Sequence, residues 1–322
     1  MKKILHSLAR SILVVLGISI LVFLIFFATP GADPAARLAG RGASAETIAQ
    51  VRTEYGLDRP MPLQYVALMR RIFLTRDLPS FVNRGQLVVP TILRAAPTTL
   101  ALALGAAIIW VAAGLAIALI ATATGQGTHP HGQHRGHLIV AAGLLGVSIP
   151  AFWLGEMVML AAQGPLRETL FAWVPPPGSP ARTPAEWLAA MALPCLTLAI
   201  LYAGIYGRVL RTSLADALNQ DYVRTARAKG LSETRITLRH ALPNAAAPAI
   251  ALLGLDLGAL IGGGTVLVEV VFGLHGIGRL TYDALHSLDL AMVMACVLSS
   301  SIFVVAMNAA ADTLQSWLDP TR

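Results

Sequence analysis

The densest run of chemistry in the chain is the 23-residue stretch YVRTARAKGLSETRITLRHALPN from Tyr222 to Asn244. It sets Arg224, Arg227, Lys229, Arg235 and Arg239 against a single acid, Glu233. No nucleophile or metal-ligand pattern accompanies these cations, so the chemistry on offer is binding rather than bond breaking. Asp221 is placed to cap a helix over 222–229, with Lys229 in the last turn where a cation suits the helix dipole. Gly230 stands where a helix stop needs a left-handed residue. Ser232 then caps a second helix running toward His240, and Leu242-Pro243 punctuates its end. On this helix, which also carries Val223, the residues Thr225, Ala226 and Ala228 are small, which permits close approach of another protein surface. A basic loop that sets topology or touches anionic lipid is the alternative. Lipid accounts for the arginines but requires neither the small residues nor the glycine stop.

Other candidates are sparser. Asp256 stands inside an apolar run, where a carboxylate is costly and normally faces a polar cavity or a partner. A cation or a substrate amine would suit it, and a hydrogen bond within the helix bundle is the other reading. Gly254, Gly258 and Gly262 repeat at a spacing of four, which stacks small residues on one helix face. They mark either close contact with a partner subunit or packing within one subunit. Glu156 and Glu269 are expected to reach interfacial water near span ends. His129, His131, His134 and His137 crowd the loop THPHGQHRGH, but glycine and proline dominate it and neither carboxylate nor cysteine joins them. A solvated turn is expected there, and no metal site is assigned. Lys2, Lys3 and Lys229 are the only lysines, and none sits in the Gly-x4-Gly-Lys-[Ser/Thr] setting that a phosphate-binding loop needs. Neither a Gly-x-Ser-x-Gly elbow nor a His-Glu-x-x-His zinc motif occurs, which removes the obvious hydrolytic classes.

The elements that hold these residues are membrane helices. Of the 322 residues, 56% are hydrophobic and 13% charged, against roughly 25% charged in soluble domains. Six spans are expected, at 11–29, 98–124, 138–162, 188–206, 245–271 and 291–311, the third kinked at Pro150 and the fourth at Pro194. The 19-residue first run exceeds a signal-peptide core and reads as an uncleaved span, with a cleaved signal as the alternative. The termini and the loops 125–137 and 207–244 hold 12 basic residues, against Arg167, Arg182 and Arg279 in the opposite short loops. Both termini and the 221–243 hairpin are therefore expected in the cytoplasm. The net charge of +7 belongs to this asymmetry, and nucleic acid is not expected as a partner. Cys195 and Cys296 lie in apolar runs and read as buried hydrophobes. Helices are expected at 45–55 and 64–73 in the polar segment between the first two spans.

Arg224-Thr225-Ala226-x3-Gly230 followed by Leu242-Pro243 resembles the EAA loop of importer-type ATP-binding-cassette permeases. Arg224 stands where the general motif has Glu, a substitution shared with the dipeptide/oligopeptide/nickel subgroup. The chain is similar to that subgroup's B-type, first permease subunit over its whole length. Supporting matches are GLDRP with Gln64-Tyr65, the run from Pro97 to Leu102, GVSIPAFWL from Gly146, VEVVF…GIGRL from Val268 to Leu280, and the final WLDPTR. Two stretches depart from the family pattern. Leu274-His275-Gly276 replaces Trp-Pro-Gly, and Asp289-Leu290-Ala291 replaces Asp-Tyr-Pro; both bear on the external gate or the substrate rather than on coupling.

The resemblance implies an all-α integral membrane protein with six transmembrane helices and the type I ABC importer permease fold. It implies a cytoplasmic tail and first helix at 1–29, an external segment at 30–93, a permease domain at 94–316 and a cytoplasmic tail at 317–322. The chain would be a non-catalytic half of a di- or oligopeptide pump in a bacterial inner membrane, with nickel, a metal chelate or glutathione as alternative cargo. A second permease, two ATPases that use ATP and Mg, and an external solute-binding protein would complete it. No cofactor is expected on this chain. The rival class is an ion-coupled secondary transporter using Asp256, for which paired repeats and discontinuous helices would be expected.

Overall fold

The computed structural model describes residues 2–27, 33, 35–36, 42–83, 85–125, 143, 145–164 and 166–318. Among these residues the secondary structure is helical apart from one isolated β-bridge between Pro79 and Leu87. Helix α1 covers Lys2–Phe27, apolar from Ser11 onward. Two short helices of the polar segment follow, α2 at Ala45–Glu54 and α3 at Met61–Arg70, the latter continuing as a wide turn through Arg71–Thr75. Ser44 caps α2 by accepting from the Thr47 N–H at 3.2 Å. Pro60 at the cap position and Pro62 in the first turn of α3 separate the two, as expected.

The membrane-length helices are longer than hydropathy alone marks them. Helix α4 runs from Val88 to Gly125 and carries Pro97 inside it, so it starts ten residues before the expected span and inside the segment expected to be external. The third span, expected as one kinked helix, is interrupted instead. A tight turn at Leu145–Ser148 leads to Pro150 in extended backbone, which caps α5 at Ala151–Gln163. Proline has no N–H to give and pushes the preceding residue out of helical backbone, so it opens the helix rather than bending it. Residues 138–142 and 144 of that span lie outside the described residues. Helix α6 covers Pro184–Leu218 around Pro194 and extends 12 residues beyond the expected end. Thr183 accepts from Glu186 N at its start, while the Glu186 carboxylate accepts from Arg182 N at 2.7 Å.

After the hairpin formed by α7 (Asp221–Ala228), α8 (Glu233–Ile236) and α9 (Leu242–Ala245) comes the fifth span. It is not one helix. Helix α10 (Ala247–Ala259) gives way to a wide turn at Leu260–Gly264 with non-helical backbone at Gly263, and α11 resumes at Val266–Val271. The expected short external loop 272–290 contains α12 (Ile277–Ser287), and α13 (Leu290–Leu318) ends the fold. Among the described residues four stretches are long and apolar enough to cross a bilayer: Val88–Thr124, Pro184–Leu218, Ala247–Gly264 and Leu290–Gln315. Ser11–Phe27 is a shorter apolar helix.

The chain divides into two compact units. One comprises Met1–Thr99, Ile261–Val270 and His275–Val305; its core includes Phe23 of α1, Ile72, Ile92 of α4, Ile277 of α12 and Leu298 of α13. The other comprises Leu100–Leu260, Val271–Leu274 and Ala306–Arg322, with Trp110, Leu198 and Tyr206 fully buried. In the second unit Gly114 and Gly207 bring α4 and α6 together, since a Cβ on Gly207 would meet the Ile117 side chain at 2.6 Å.

Candidate functional site

The hairpin that follows α6 is built on a core of its own. Val223 and Ala226 of α7 pack with Leu214 and Leu218 at the end of α6, and with Ile236, Ala241 and Ala245. Val223, Ile236 and Ala241 have no exposed surface at all. The helix starts at Asp221 itself, with Gln220 at the cap and no side-chain cap bond, so Asp221 is the first helical residue rather than the cap. Its carboxylate instead pairs loosely with Arg224 at 3.3 Å, in solvent. Ser232 does occupy the cap position of α8, again without a side-chain bond.

The stop at Gly230 is as expected: φ is +78°, and its N–H donates to Arg227 O at 2.9 Å. Across this turn Arg227 grips Glu233 with two parallel bonds, Nε to Oε1 at 2.7 Å and an Nη to Oε2 at 3.1 Å. That grip holds the Glu233 carboxyl below its usual range and raises Arg227. Tyr222 Oη accepts from Asn244 Nδ2 at 3.2 Å, which ties the start of α7 to the Leu242-Pro243 corner. Ala226 is not a surface contact, because it points into the hairpin core and is small for that reason. The solvent face carries Tyr222, Arg224, Thr225, Ala228 and Lys229, ending at Gly230.

Asp256 of α10 accepts a hydrogen bond from Tyr206 Oη at 2.8 Å. Behind it Trp110 stacks on Tyr202, with ring centroids 4.7 Å apart. The bundle hydrogen bond, one of the two readings left open for Asp256, is present, and the residue is half-buried. Gly254 lies against Ala311 and Asn308 of α13, where a Cβ would collide with the alanine methyl, and Gly258 is buried. Gly262 has Val304 of the same helix at 3.4 Å from where a Cβ would stand. Gly254 is thus closely packed within the chain, whereas Gly262 is exposed and a Cβ there would make only ordinary contact. His129, His131, His134 and His137 lie outside the described residues.

A second constellation was missed from sequence. Glu269 of α11, expected to reach interfacial water, is fully buried. Its Oε1 accepts from Thr99 Oγ1 at 2.7 Å and its Oε2 from the Arg279 N–H at 2.8 Å. Thr99 Oγ1 in turn accepts from the Ile277 N–H at 2.8 Å. Ile277 and Arg279 are the first and third residues of α12, whose cap, Gly276, has no side chain to offer. Their orphan donors are therefore satisfied from α4 and α11, with a carboxylate at the positive end of a helix. Gly276 and Gly278 leave room for it: a Cβ at Gly276 would overlap the Glu269 carboxylate and Thr99, and one at Gly278 would meet Glu269 Oε2 at 2.9 Å. The Pro97–Leu102, VEVVF and GIGRL motifs are thus one hydrogen-bonded assembly. The cost of an ionisable group in an apolar run, applied to Asp256, was the signal available for Glu269.

Asp289 plays a similar part at the start of α13. It caps the helix by accepting from Met292 N at 3.1 Å and holds the polar segment by accepting from Ser80 Oγ and from Phe81 N at 3.2 Å.

Comparison with known proteins gives this architecture its place. The profile described as "Binding-protein-dependent transport system inner membrane component" matches residues 131–322, and that of the corresponding N-terminal membrane component matches 1–103. A Brucella abortus protein named as a peptide transport system permease is 34% identical over 319 residues, covering 98% of this chain and 97% of its own. The "Probable D,D-dipeptide transport system permease protein DdpB" of Escherichia coli is 33% identical, covering 96% and 94%. The glutathione transport system permease protein GsiC of Salmonella typhimurium is 35% identical, covering 98% and 97%. With both profiles matched and relatives aligned almost end to end, the chain belongs to the ABC importer permeases, the family of binding-protein-dependent transport system inner membrane components.

Proposed function

We propose that this permease forms half of an ATP-driven pathway that imports di- and oligopeptides across a bacterial cytoplasmic membrane. The observation that carries the substrate class is the end-to-end match to permeases named for peptide and D,D-dipeptide transport. A second permease completes the pathway, two ATPase subunits supply ATP hydrolysis with Mg, and an external binding protein delivers cargo. Both termini and the hairpin face the cytoplasm, 30–93 faces outward, and 94–316 with the 221–243 loop is the transport domain. Glutathione is itself a peptide, so the GsiC relative keeps that cargo within the same reading.

In this reading Tyr222–Gly230 is the helix that the ATPases grip, with Leu242 and Pro243 bracing its base. ATP-driven closure is transmitted through the Val223 and Ala226 packing into the end of α6. Supporting it are a rigid self-contained core, a small exposed Thr225/Ala228 face and the absence of a phosphate-binding loop sequence in this chain. Asp256, Gly254, Gly258 and Gly262 would border the pathway or the second permease in another conformational state. The break at Gly263 is a feature secondary transporters share, but family membership removes the ion-coupled reading. The test is uptake of labelled dipeptide by the complete complex in proteoliposomes. Ala228→Trp should lower ATP-dependent uptake by about tenfold, equivalent to roughly 1.4 kcal/mol of docking, with insertion unchanged. Full uptake in that variant overturns the hairpin's role, and uptake without ATPase subunits overturns the importer reading.

A further inference from the structure

Beside the outer end of α1 a cavity of about 480 Å³ opens toward α2 and α3. Its floor is apolar, with Phe23 and Phe27 stacked 4.9 Å apart. Its rim is cationic: Arg59, Arg70 and Arg71 line it, and among the described residues none of the three forms an ion pair with a carboxylate. Asp77 is the one carboxylate in the lining among the described residues. The Thr75 hydroxyl, with Arg71 and Arg70 behind it, holds Asp77 below the usual carboxylate range, so it stays ionised and leaves a surplus of positive charge.

A second observation points the same way. The stretch that supplies the rim exposes Met61, Leu63, Val66, Phe73 and Leu74, each between 45% and 76% accessible. Water does not favour five large apolar side chains within one short polar segment. A helix with an apolar face and flanking arginines is the form that lies in a membrane interface. Phe27 ends the apolar helix α1, so floor and rim meet at the boundary between hydrocarbon and headgroups.

We infer that this cavity binds an anionic phospholipid of the leaflet at the outer end of α1. The guanidinium forks of Arg59, Arg70 and Arg71 take the phosphate, whose oxygens match their paired donors. The acyl chains descend past Phe23 and Phe27 and continue the exposed face of Leu63 and Val66. A binding-protein contact would equally use the arginines, but it would not require a floor made from a membrane span. The site rests on α1 as a membrane span and is independent of which solute is carried.

Native mass spectrometry of the purified complex tests it, using membranes that hold phosphatidylglycerol and phosphatidylethanolamine. The wild type should retain phosphatidylglycerol preferentially. The triple variant Arg59→Gln, Arg70→Gln, Arg71→Gln should lose on the order of tenfold or more of that retention, and the triple Lys variant should keep most of it. Equal retention in wild type and Gln variant overturns the site. So does a Gln variant that keeps the lipid but no longer responds to the external binding protein, since the rim is then a protein contact. A fluorophore on Leu74→Cys gives a readout without touching the arginines. Quenching by lipids brominated near the headgroup is expected, and an unquenched label overturns the interfacial placement.

Discussion

Glu269 is worth more to this fold than a buried carboxylate usually is, because one oxygen takes an N–H that α12 cannot satisfy for itself and the other holds Thr99, which takes a second. Removing a partner while leaving the buried N–H in place costs about 1–3 kcal/mol. Thr99→Val should therefore destabilise the purified permease by about that amount, seen as a lowered midpoint of thermal unfolding. Gly276→Ala should do at least as much, through overlap with the carboxylate and Thr99 rather than through backbone strain. A Gly276→Ala protein as stable as wild type would show that the carboxylate can move aside. Residue types alone could mark Glu269 as costly in an apolar run but could not name its partners. The three motifs were recognisable, but their meeting depends on a bond between residues 170 apart in sequence.

The hairpin is the opposite case, and most of it was readable because its determinants are local. Small residues, a glycine stop and a helix after Ser232 all lie within a few turns, so propensity and pattern suffice. What pattern could not say is which small residue points inward. Ala226 was expected at a docking surface; it is buried in the hairpin core, and Thr225 and Ala228 hold the outer face. Ala226→Leu should overpack that core and destabilise it by about 1–3 kcal/mol. Gly230→Ala meets open space but must hold a left-handed backbone, costing about 1–2 kcal/mol. Hydrogen exchange over 221–245 separates the two from Ala228→Trp, which should leave protection unchanged while weakening docking. The early start of α4, the extension of α6, the proline-capped α5 and the break at Gly263 escaped for one reason. Hydropathy marks where hydrocarbon lies, not where helices begin and end.

Each compact unit happens to carry one buried thiol, Cys195 in one and Cys296 in the other. Membrane-permeant maleimide should leave both unmodified in the native protein and label both after denaturation. On heating, the order in which they react reports which unit opens first; labelling of either in the native state would contradict its burial. The Thr99–Glu269 bond also has a bearing on how the protein is made. At about 5–20 residues per second, Glu269 leaves the ribosome roughly 10–30 s after Thr99. Ser80 waits longer still for Asp289, 209 residues on. The hairpin, by contrast, assembles within some thirty residues of chain. A nascent chain would thus hold its hairpin finished while Thr99 and Ser80 still lacked the carboxylates that close their side of the fold, a window in which insertion factors have something to protect.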